Sequence, residues 1–519
     1  LASQPEVNVV PGGRKLVFVG FMGAGKTTAA RLAAQLRGEQ VADLDVVVEE
    51  RLGKPISRVF EEDGEAAFRS AEQAAALELL GRPGPAVVAL GGGTVLHPEV
   101  CEALRAHRVV WLDVDVDVAW RRAQGADRPL ARNRKAFERL MAERQQLYFA
   151  VADAIVPSDR GRHLGPVLEA LAALPVGARL IWASSASGDY PVYLGSGLLD
   201  GRFWPPTLAG RRFLITDTTV GARYGQSVEP VHGTLEIPPG ETSKTIARAE
   251  EVWTEMARTG ITRSDLAVAL GGGVVGDLAG FCAATYQRGI GHVQVPTTLV
   301  AQVDSAYGGK TGVDLPQAKN YVGAYHQPSA VIVDTEALGS LPEPELAAGY
   351  AEVVKTALIA GGELWELVSS GADPTSPEII LGCALTKLRI VGRDERDGGL
   401  RRVLNLGHTV GHAIEAVTEY ARYRHGEAVA LGLLAALRLS EQDRLREQVA
   451  GLLSARGLPT TLGGVDPEAV LRATAADKKR LGEEPVPFVL LDGPGRPRPG
   501  QRVEPGAVLA AVRELIGHP

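Results

Sequence analysis

The stretch Gly20-Phe-Met-Gly-Ala-Gly25-Lys26-Thr27 constrains the fold of this chain more than any other. An apolar run at 16–19 precedes it and reads as a buried strand, and an Ala/Leu-rich segment at 28–36 follows and reads as a helix. Strand, glycine loop and helix in that order favour a phosphate-binding loop over a glycine-rich turn with a chance Lys-Thr pair. The glycines let the backbone wrap a polyphosphate, and the helix N-terminus adds amide donors and a positive dipole end. Lys26 is placed to reach the outer phosphates and Thr27 to hold Mg²⁺. The loop therefore predicts nucleotide-dependent phosphoryl chemistry without naming the acceptor.

With 519 residues the chain exceeds one ordinary core, so about two to four domains are expected. The net charge of −7 argues against a nucleic-acid partner, whose phosphates want a basic surface. Cys101, Cys282 and Cys383 lie far apart, which suits a reducing, cytoplasmic setting and excludes a cysteine-based zinc site. The first residues have no basic flank before an apolar core, so no signal peptide is expected, and the Leu at position 1 leaves the true start open. Residues 266–284 are apolar enough to suggest a membrane span. Gly271, Gly272, Gly273, Gly276 and Asp277 in their midst fit a ligand loop better, so no membrane association is expected.

Strand candidates at 16–19, 86–90 and 109–112 alternate with helical stretches such as 64–80, which predicts an α/β domain with a parallel sheet covered on both faces. A last helical pattern at 165–174 ends at Pro175-Val-Gly-Ala, and Ser184-Ser-Ala-Ser-Gly188 reads as a linker. The first domain is thus placed at 12–174 and the linker at 175–189. Strand-like runs at 212–216, 266–270, 292–295 and 330–333 predict a second α/β domain over 190–335. From Pro342 the pattern turns helical, at 345–359, 377–391, 408–418 and 425–445, which predicts a mostly helical domain over 336–519. No repeat of solenoid period is present.

Asp43 and Asp45 follow the first helix as Val41-Ala-Asp43-Leu-Asp45. On an extended segment, residues i and i+2 point to one side, so one carboxylate could serve a metal and the other a polyhydroxyl substrate; a solvated acidic turn is the alternative. Glu65-Ala-Ala-Phe68-Arg69-Ser-Ala-Glu72, Gly91-Gly-Gly93 after a strand, Arg128-Pro-Leu and Glu143-Arg144-Gln-Gln-Leu-Tyr148 add a close-approach backbone and cationic clamps. With these motifs in this order, residues 12–172 resemble shikimate kinase. The resemblance implies ATP held by Gly23, Ala24, Gly25, Lys26, Thr27 and Thr28, with Mg²⁺ at Thr27 and Asp43. It implies shikimate held by Asp45, Arg69, Gly91, Gly92, Gly93 and Arg144, with Arg128 reaching the transferring phosphate from a lid. Lys26, Asp45 and Arg128 would be catalytic. Paired arginines suit a carboxylate because guanidinium bonds it bidentately. The lid, 123–134, departs in sequence from the family.

In the second half, Asp265-Leu-Ala-Val-Ala-Leu-Gly271-Gly-Gly-Val-Val-Gly276-Asp277 reads as strand, glycine loop and helix start, a cradle for a pyrophosphate. The chain has ten histidines, and His408 and His412 stand at i and i+4 on one helical face. Spacing alone makes that pair zinc ligands, against a reading as surface or core histidines. Residues 190–490 resemble 3-dehydroquinate synthase at 271–277, Phe281-Cys-Ala-Ala-Thr-Tyr-Gln-Arg288, Pro296-Thr-Thr-Leu, Asp304-Ser-Ala-Tyr-Gly-Gly-Lys310, Lys319-Asn320, Glu352-Val-Val-Lys355, Asn405-Leu-Gly-His408 and Asp477-Lys478-Lys479.

That resemblance moves the metal, Zn²⁺ or Co²⁺, to Glu352, His408 and His425, and leaves His412 to transfer protons. It implies NAD on Asp217, Glu241, Lys244, Gly272, Gly273, Val274, Asp277, Thr297, Thr298, Lys310, Lys319 and Ser340. The seven-carbon sugar phosphate DAHP would meet Asp304, Lys310, Asn320, Lys355, Lys387, Arg401, Asn405, His412, Lys478 and Lys479, with Arg288 reaching its phosphate across a homodimer interface. Lys310, Lys355 and His412 would be catalytic. The implied reaction is redox-neutral: NAD takes and returns one hydride, phosphate leaves, and the opened ring closes as a carbocycle, with zinc as Lewis acid. Asp397, Asp314 and Ser340 stand where the family has Glu, Asn and Thr; Asp397 is one methylene short, which predicts water-bridged contacts. The two resemblances together imply a bifunctional shikimate-pathway enzyme acting on small molecules. Alternatives are another sugar-phosphate cyclase or a glycerol-dehydrogenase-like enzyme in the second half, and a gluconate-type kinase or a nucleotide-sensing module in the first.

Overall fold

The computed structural model describes residues 13–124, 133–158, 164–316, 318–475 and 487–516. The chain divides into two compact units, Leu1–Trp182 and Ala183–Pro519. Among the described residues no helix is long and apolar enough to cross a membrane.

The first unit holds strands β1 (Leu16–Val19), β2 (Val41–Asp43), β3 (Val87–Ala89), β4 (Arg108–Asp113), β5 (Ala154–Pro157) and β6 (Arg179–Ser184). They pair in parallel in the order β2-β3-β1-β4-β5-β6. β1 is apolar throughout and fully buried, as a central strand covered on both faces must be. At its carboxyl end the chain passes so close to β4 that a Cβ on Gly20 would lie 2.8 Å from the Leu112 carbonyl oxygen. Gly25, at φ 88°, then turns the backbone into helix Lys26–Arg37. Only glycine tolerates both demands, so the loop sequence and its geometry are one constraint. The ends of β1, β2 and β3 open together into the crevice where open α/β sheets bind ligands.

The second unit carries β7 (Asp189–Gly195), β8 (Arg212–Asp217), β9 (Gly233–Ile237), β10 (Leu266–Gly271), β11 (Gly291–Pro296) and β14 (Ala330–Asp334). They form a parallel sheet in the order β7-β14-β11-β10-β8-β9. Between β11 and β14 the chain makes an antiparallel hairpin of β12 (Lys310–Leu315) and β13 (Ala318–Tyr325). Three helices then bring the chemistry together: Glu343–Ala360, His408–Val417 and His425–Leu439. The first is buried on every side from Ala348 to Ile359, so Glu352 and Lys355 sit inside the protein.

Four local expectations need correction. Residues 175–189 are not a structureless linker, because Leu180, Ile181, Trp182 and Ala183 form the buried strand β6 and the turn after it is tightly bonded. Asp43 and Asp45 are not both extended. Asp43 ends β2 and caps helix Leu44–Leu52 by accepting from the Asp45 amide at 3.1 Å, which places Asp45 in the first helical turn. The helix expected over 425–445 stops at Leu439. Ser440 folds its hydroxyl back on the Ala436 carbonyl, Glu441 takes a φ of 55°, and a new helix runs Asp443–Ser454. The mostly helical region also holds a hairpin of β15 (Phe488–Leu491) and β16 (Pro497–Gln501), whose Leu491 amide donates to that same Ser440 hydroxyl.

Candidate functional sites

In the first unit, Lys26 Nζ donates to the Phe21 carbonyl at 3.3 Å, folding back over its own loop. The Thr27 hydroxyl donates to Asp43 at 2.5 Å, so the two residues expected around Mg²⁺ touch. Arg122, which the sequence reading passed over, donates to the Gly23 carbonyl at 3.0 Å and braces the loop from outside. Opposite, Gly91–Gly93 lies among Asp45, Arg69 and Arg144. A Cβ on Gly91 would stand 3.2 Å from Asp45, a Cβ on Gly93 would strike the Arg69 guanidinium, and Arg144 donates to the Gly92 carbonyl at 3.3 Å. The residues expected around shikimate therefore lie close together at the Gly91–Gly93 turn. Arg69 is held by Glu65 at 3.0 Å and by the buried Glu72 at 2.7 Å, the latter three residues along the same helix. Arg144 is buried with its Nε unpartnered, and burial chiefly lowers its pKa. Arg128 lies outside the described residues.

In the second unit a cavity of about 990 Å³ opens at the carboxyl ends of β8 and β10. Every residue expected around NAD lines it except Lys310. Lys244 is buried there, 2.7 Å from Glu241, 3.4 Å from Asp277 and 3.8 Å from Asp314. Burial works against its charge, but the three carboxylates outweigh burial and raise its pKa. Asp277 shows the opposite balance, with burial pushing its carboxyl up to about 6 despite Lys244.

From the cavity floor a chain of charges runs inward. Asp304 takes Lys387 and, at 3.2 Å, Lys355. Burial alone would raise the Asp304 carboxyl, but the two ammonium groups hold it at about 2. Lys355 Nζ also lies 2.5 Å from Glu352. The Glu352 Oε1 atom has no hydrogen-bond partner, yet Nε2 of His408 and Nε2 of His425 each stand 3.4 Å from it. Glu352, His408 and His425 offer three ligand atoms within 4.8 Å of one another, a donor set that fits a divalent cation. His412, Glu415 and His425 form a second such group, but Glu415 already takes Lys319 at 3.2 Å. Burial depresses His408, whereas for His425 the two flanking carboxylates overcome burial and lift its pKa to about 10.

Asn320 and His412 line the cavity. Lys310 pairs directly with Asp397 at 2.6 Å, so the shorter carboxylate needs no bridging water. Asp314 accepts from the Asn320 amide at 2.7 Å, and Ser340 accepts from the Tyr224 hydroxyl at 3.0 Å. Arg401 is buried and donates to the carbonyls of Gly308, at 3.0 Å, and Glu395. Neither Arg401 nor Asn405 lines the cavity, and Arg288 is exposed outside it. Lys478 and Lys479 lie outside the described residues. Glu415 and Glu72 were missed as site residues. Each stands three positions from a singled-out residue on the same helix, His412 and Arg69, and that spacing was the available signal.

The N-terminal and C-terminal family models of 3-dehydroquinate synthase match residues 234–348 and 349–480. A curated 3-dehydroquinate synthase of Halorhodospira halophila is 42% identical over 334 residues, covering 61% of this chain and 94% of that relative. The chain belongs to the 3-dehydroquinate synthase family. A member from Symbiobacterium thermophilum is 44% identical over 317 residues, 56% of this chain and 88% of its own. The shikimate kinase family model matches residues 22–174, so the synthase is fused to a shikimate kinase domain in one bifunctional shikimate-pathway enzyme. Among solved structures, the synthase half is similar to a 2-deoxy-scyllo-inosose synthase with carbaglucose-6-phosphate, NAD⁺ and Co²⁺ bound (27% identity, TM-score 0.57, 64% of this chain and 99% of that one). It is also similar to 2-epi-5-epi-valiolone synthase of Streptomyces hygroscopicus with NAD⁺ and Zn²⁺ bound (26%, TM-score 0.58, 63% and 96%).

Proposed function

We propose that the chain catalyses two separate reactions. The first unit transfers a phosphoryl group from ATP to shikimate, giving shikimate 3-phosphate. The second converts 3-deoxy-D-arabino-heptulosonate 7-phosphate to 3-dehydroquinate and phosphate. The observation that carries the second reading is the cluster of Asp304, Lys355 and Lys387 beside Glu352, His408 and His425, of which Asp304, Glu352 and His425 line the dinucleotide-type cavity. Buried cations of that density suit a substrate with both a carboxylate and a phosphate.

In the kinase, Lys26 and the loop amides hold the nucleotide, Thr27 and Asp43 hold Mg²⁺, and Asp45 with the Arg69–Arg144 pair fixes shikimate. Such a site works by positioning and charge neutralisation. In the synthase, NAD would serve as hydride acceptor and donor and a Zn²⁺ or Co²⁺ ion on Glu352, His408 and His425 as a Lewis acid. The lysines around Asp304 orient hydroxyls and carboxylate, and His412 at the cavity wall holds or moves a proton. Arg288, exposed outside its own cavity, supports a homodimer in which it serves the neighbouring copy.

The test assays each substrate alone with the intact chain, following ADP release with shikimate and phosphate release with the heptulosonate. Both signals are expected, the second dependent on NAD and a divalent cation. Phosphate release from a carboxylate-free hexose phosphate instead would replace the synthase assignment with another cyclase. Light scattering tests the dimer.

A further inference from the structure

We infer that Glu415 is a positioning residue that aims His425 at the cation site of the synthase. The inference rests on the proposed metal set Glu352, His408 and His425. The two histidines of that set are presented in the same way. His408 Nε2 faces Glu352 Oε1 at 3.4 Å while its Nδ1 lies 3.2 Å from the Leu406 carbonyl. His425 Nε2 faces the same oxygen at 3.4 Å while its Nδ1 lies 3.3 Å from Glu415 Oε2. A neutral imidazole carries one N–H and one lone pair, and the nitrogen that donates to an acceptor leaves the other free to ligate. The Leu406 carbonyl and the Glu415 carboxylate therefore do the same work for the two rings.

Two further features set Glu415 apart from a carboxylate that merely needs a partner. It is only 1% exposed, on helix His408–Val417, and its second oxygen takes Lys319 Nζ at 3.2 Å from β13. Lys319 lines the dinucleotide-type cavity. A buried carboxylate must be paired, and the lysine keeps this one charged and turned toward the imidazole. With one oxygen on Lys319 and the other on His425, Glu415 orients a ligand and is not one itself.

The experiment strips metal from the intact chain and titrates it with Zn²⁺ against a chromophoric chelator, and with Co²⁺ by visible absorption. A cooperative denaturation transition of the synthase unit, matched to that of the wild-type chain, reports that each variant is folded. Glu415→Leu is expected to weaken Zn²⁺ binding by about 10–100-fold, the range for losing such an outer partner, and to alter the Co²⁺ spectrum. Glu415→Gln keeps shape and an acceptor oxygen, so a smaller loss is expected. It also serves as the reporting variant if the leucine protein misfolds. Wild-type affinity and an unchanged spectrum in both variants, with His408→Ala metal-free, would overturn the inference alone. Metal lost in Glu415→Leu but retained in Glu352→Gln and His408→Ala would make Glu415 a ligand and overturn it as well. A wild-type chain that binds neither ion would overturn the metal reading itself.

Discussion

Three imidazoles crowd one corner of the synthase, with ring centroids 5.3 Å apart for His408 and His412, 5.4 Å for His408 and His425, and 5.9 Å for His412 and His425. Proximity does not make them equivalent. Ligation needs a nitrogen aimed at a shared point, and the rings whose Nε2 atoms meet at Glu352 are those of His408 and His425. The i, i+4 spacing that pairs His408 with His412 sets them on one helical face and says nothing of which nitrogen faces inward. His425→Ala is expected to lose bound zinc and cyclisation together. His412→Ala should keep its zinc and lose rate by roughly 10²–10⁴, as for a general acid–base group. Metal analysis of the two purified proteins decides the matter. A zinc-free His412→Ala with a fully loaded His425→Ala would reverse the assignment.

At the scale of elements, the metal corner exists because three helices meet almost backbone to backbone. Glu352, His408 and His425 sit on separate helices, and glycines lie where those helices cross. A Cβ on Gly432 would strike the Gly407 carbonyl, one on Gly426 the Ala348 carbonyl, and one on Gly411 would lie 3.1 Å from the Ala428 carbonyl. The obstacles are backbone atoms within packed helices, so they cannot swing aside as a side chain would. Gly432→Ala is therefore expected to push apart the helices bearing His408 and His425, costing about 1–3 kcal/mol of overpacking and weakening zinc binding. Chemical denaturation followed by a synthase-specific signal, together with zinc stoichiometry, measures both. An alanine variant with unchanged midpoint and full zinc would show that the crossing tolerates the shift.

At the scale of the whole molecule, the described residues of the kinase site fall in one compact unit and those of the synthase site in the other. Lys26→Ala is thus expected to abolish phosphoryl transfer and leave cyclisation at its wild-type rate, both read from the same preparation. Equal loss of the two activities in a folded variant would refute independence. The place to divide the chain follows from the turn after β6. Ser184 donates to Asp189 at 2.9 Å, and Ser187 bonds through amide and hydroxyl to Glu395, in the loop that leads to Asp397 and Arg401. A cut inside 184–188 would detach a support of the synthase site, so separation belongs at the boundary of the two units, after Trp182.

Local signals in this sequence were strong where the backbone itself is the constraint. Gly20, Gly23 and Gly25 announced the first loop because their positive φ angles suit glycine, Gly271–Gly273 announced the second where side chains crowd the backbone, and β1 and β10 showed in unbroken apolar runs. Family motifs then put most of the expected residues at two sites. The break at Ser440, the β15–β16 hairpin and the strand in the supposed linker escaped notice. Their bonding partners are remote in sequence, or their short apolar runs resemble other elements. Tertiary structure alone decided that Asp397 reaches Lys310 directly, that Arg401 spends its donors on two carbonyls, and that a glutamate three residues past His412 turns His425 toward Glu352. Sequence periodicity places a side chain on a face. The direction of its polar atoms follows only when another element, brought from far along the chain, supplies the partner in a space with no water to substitute.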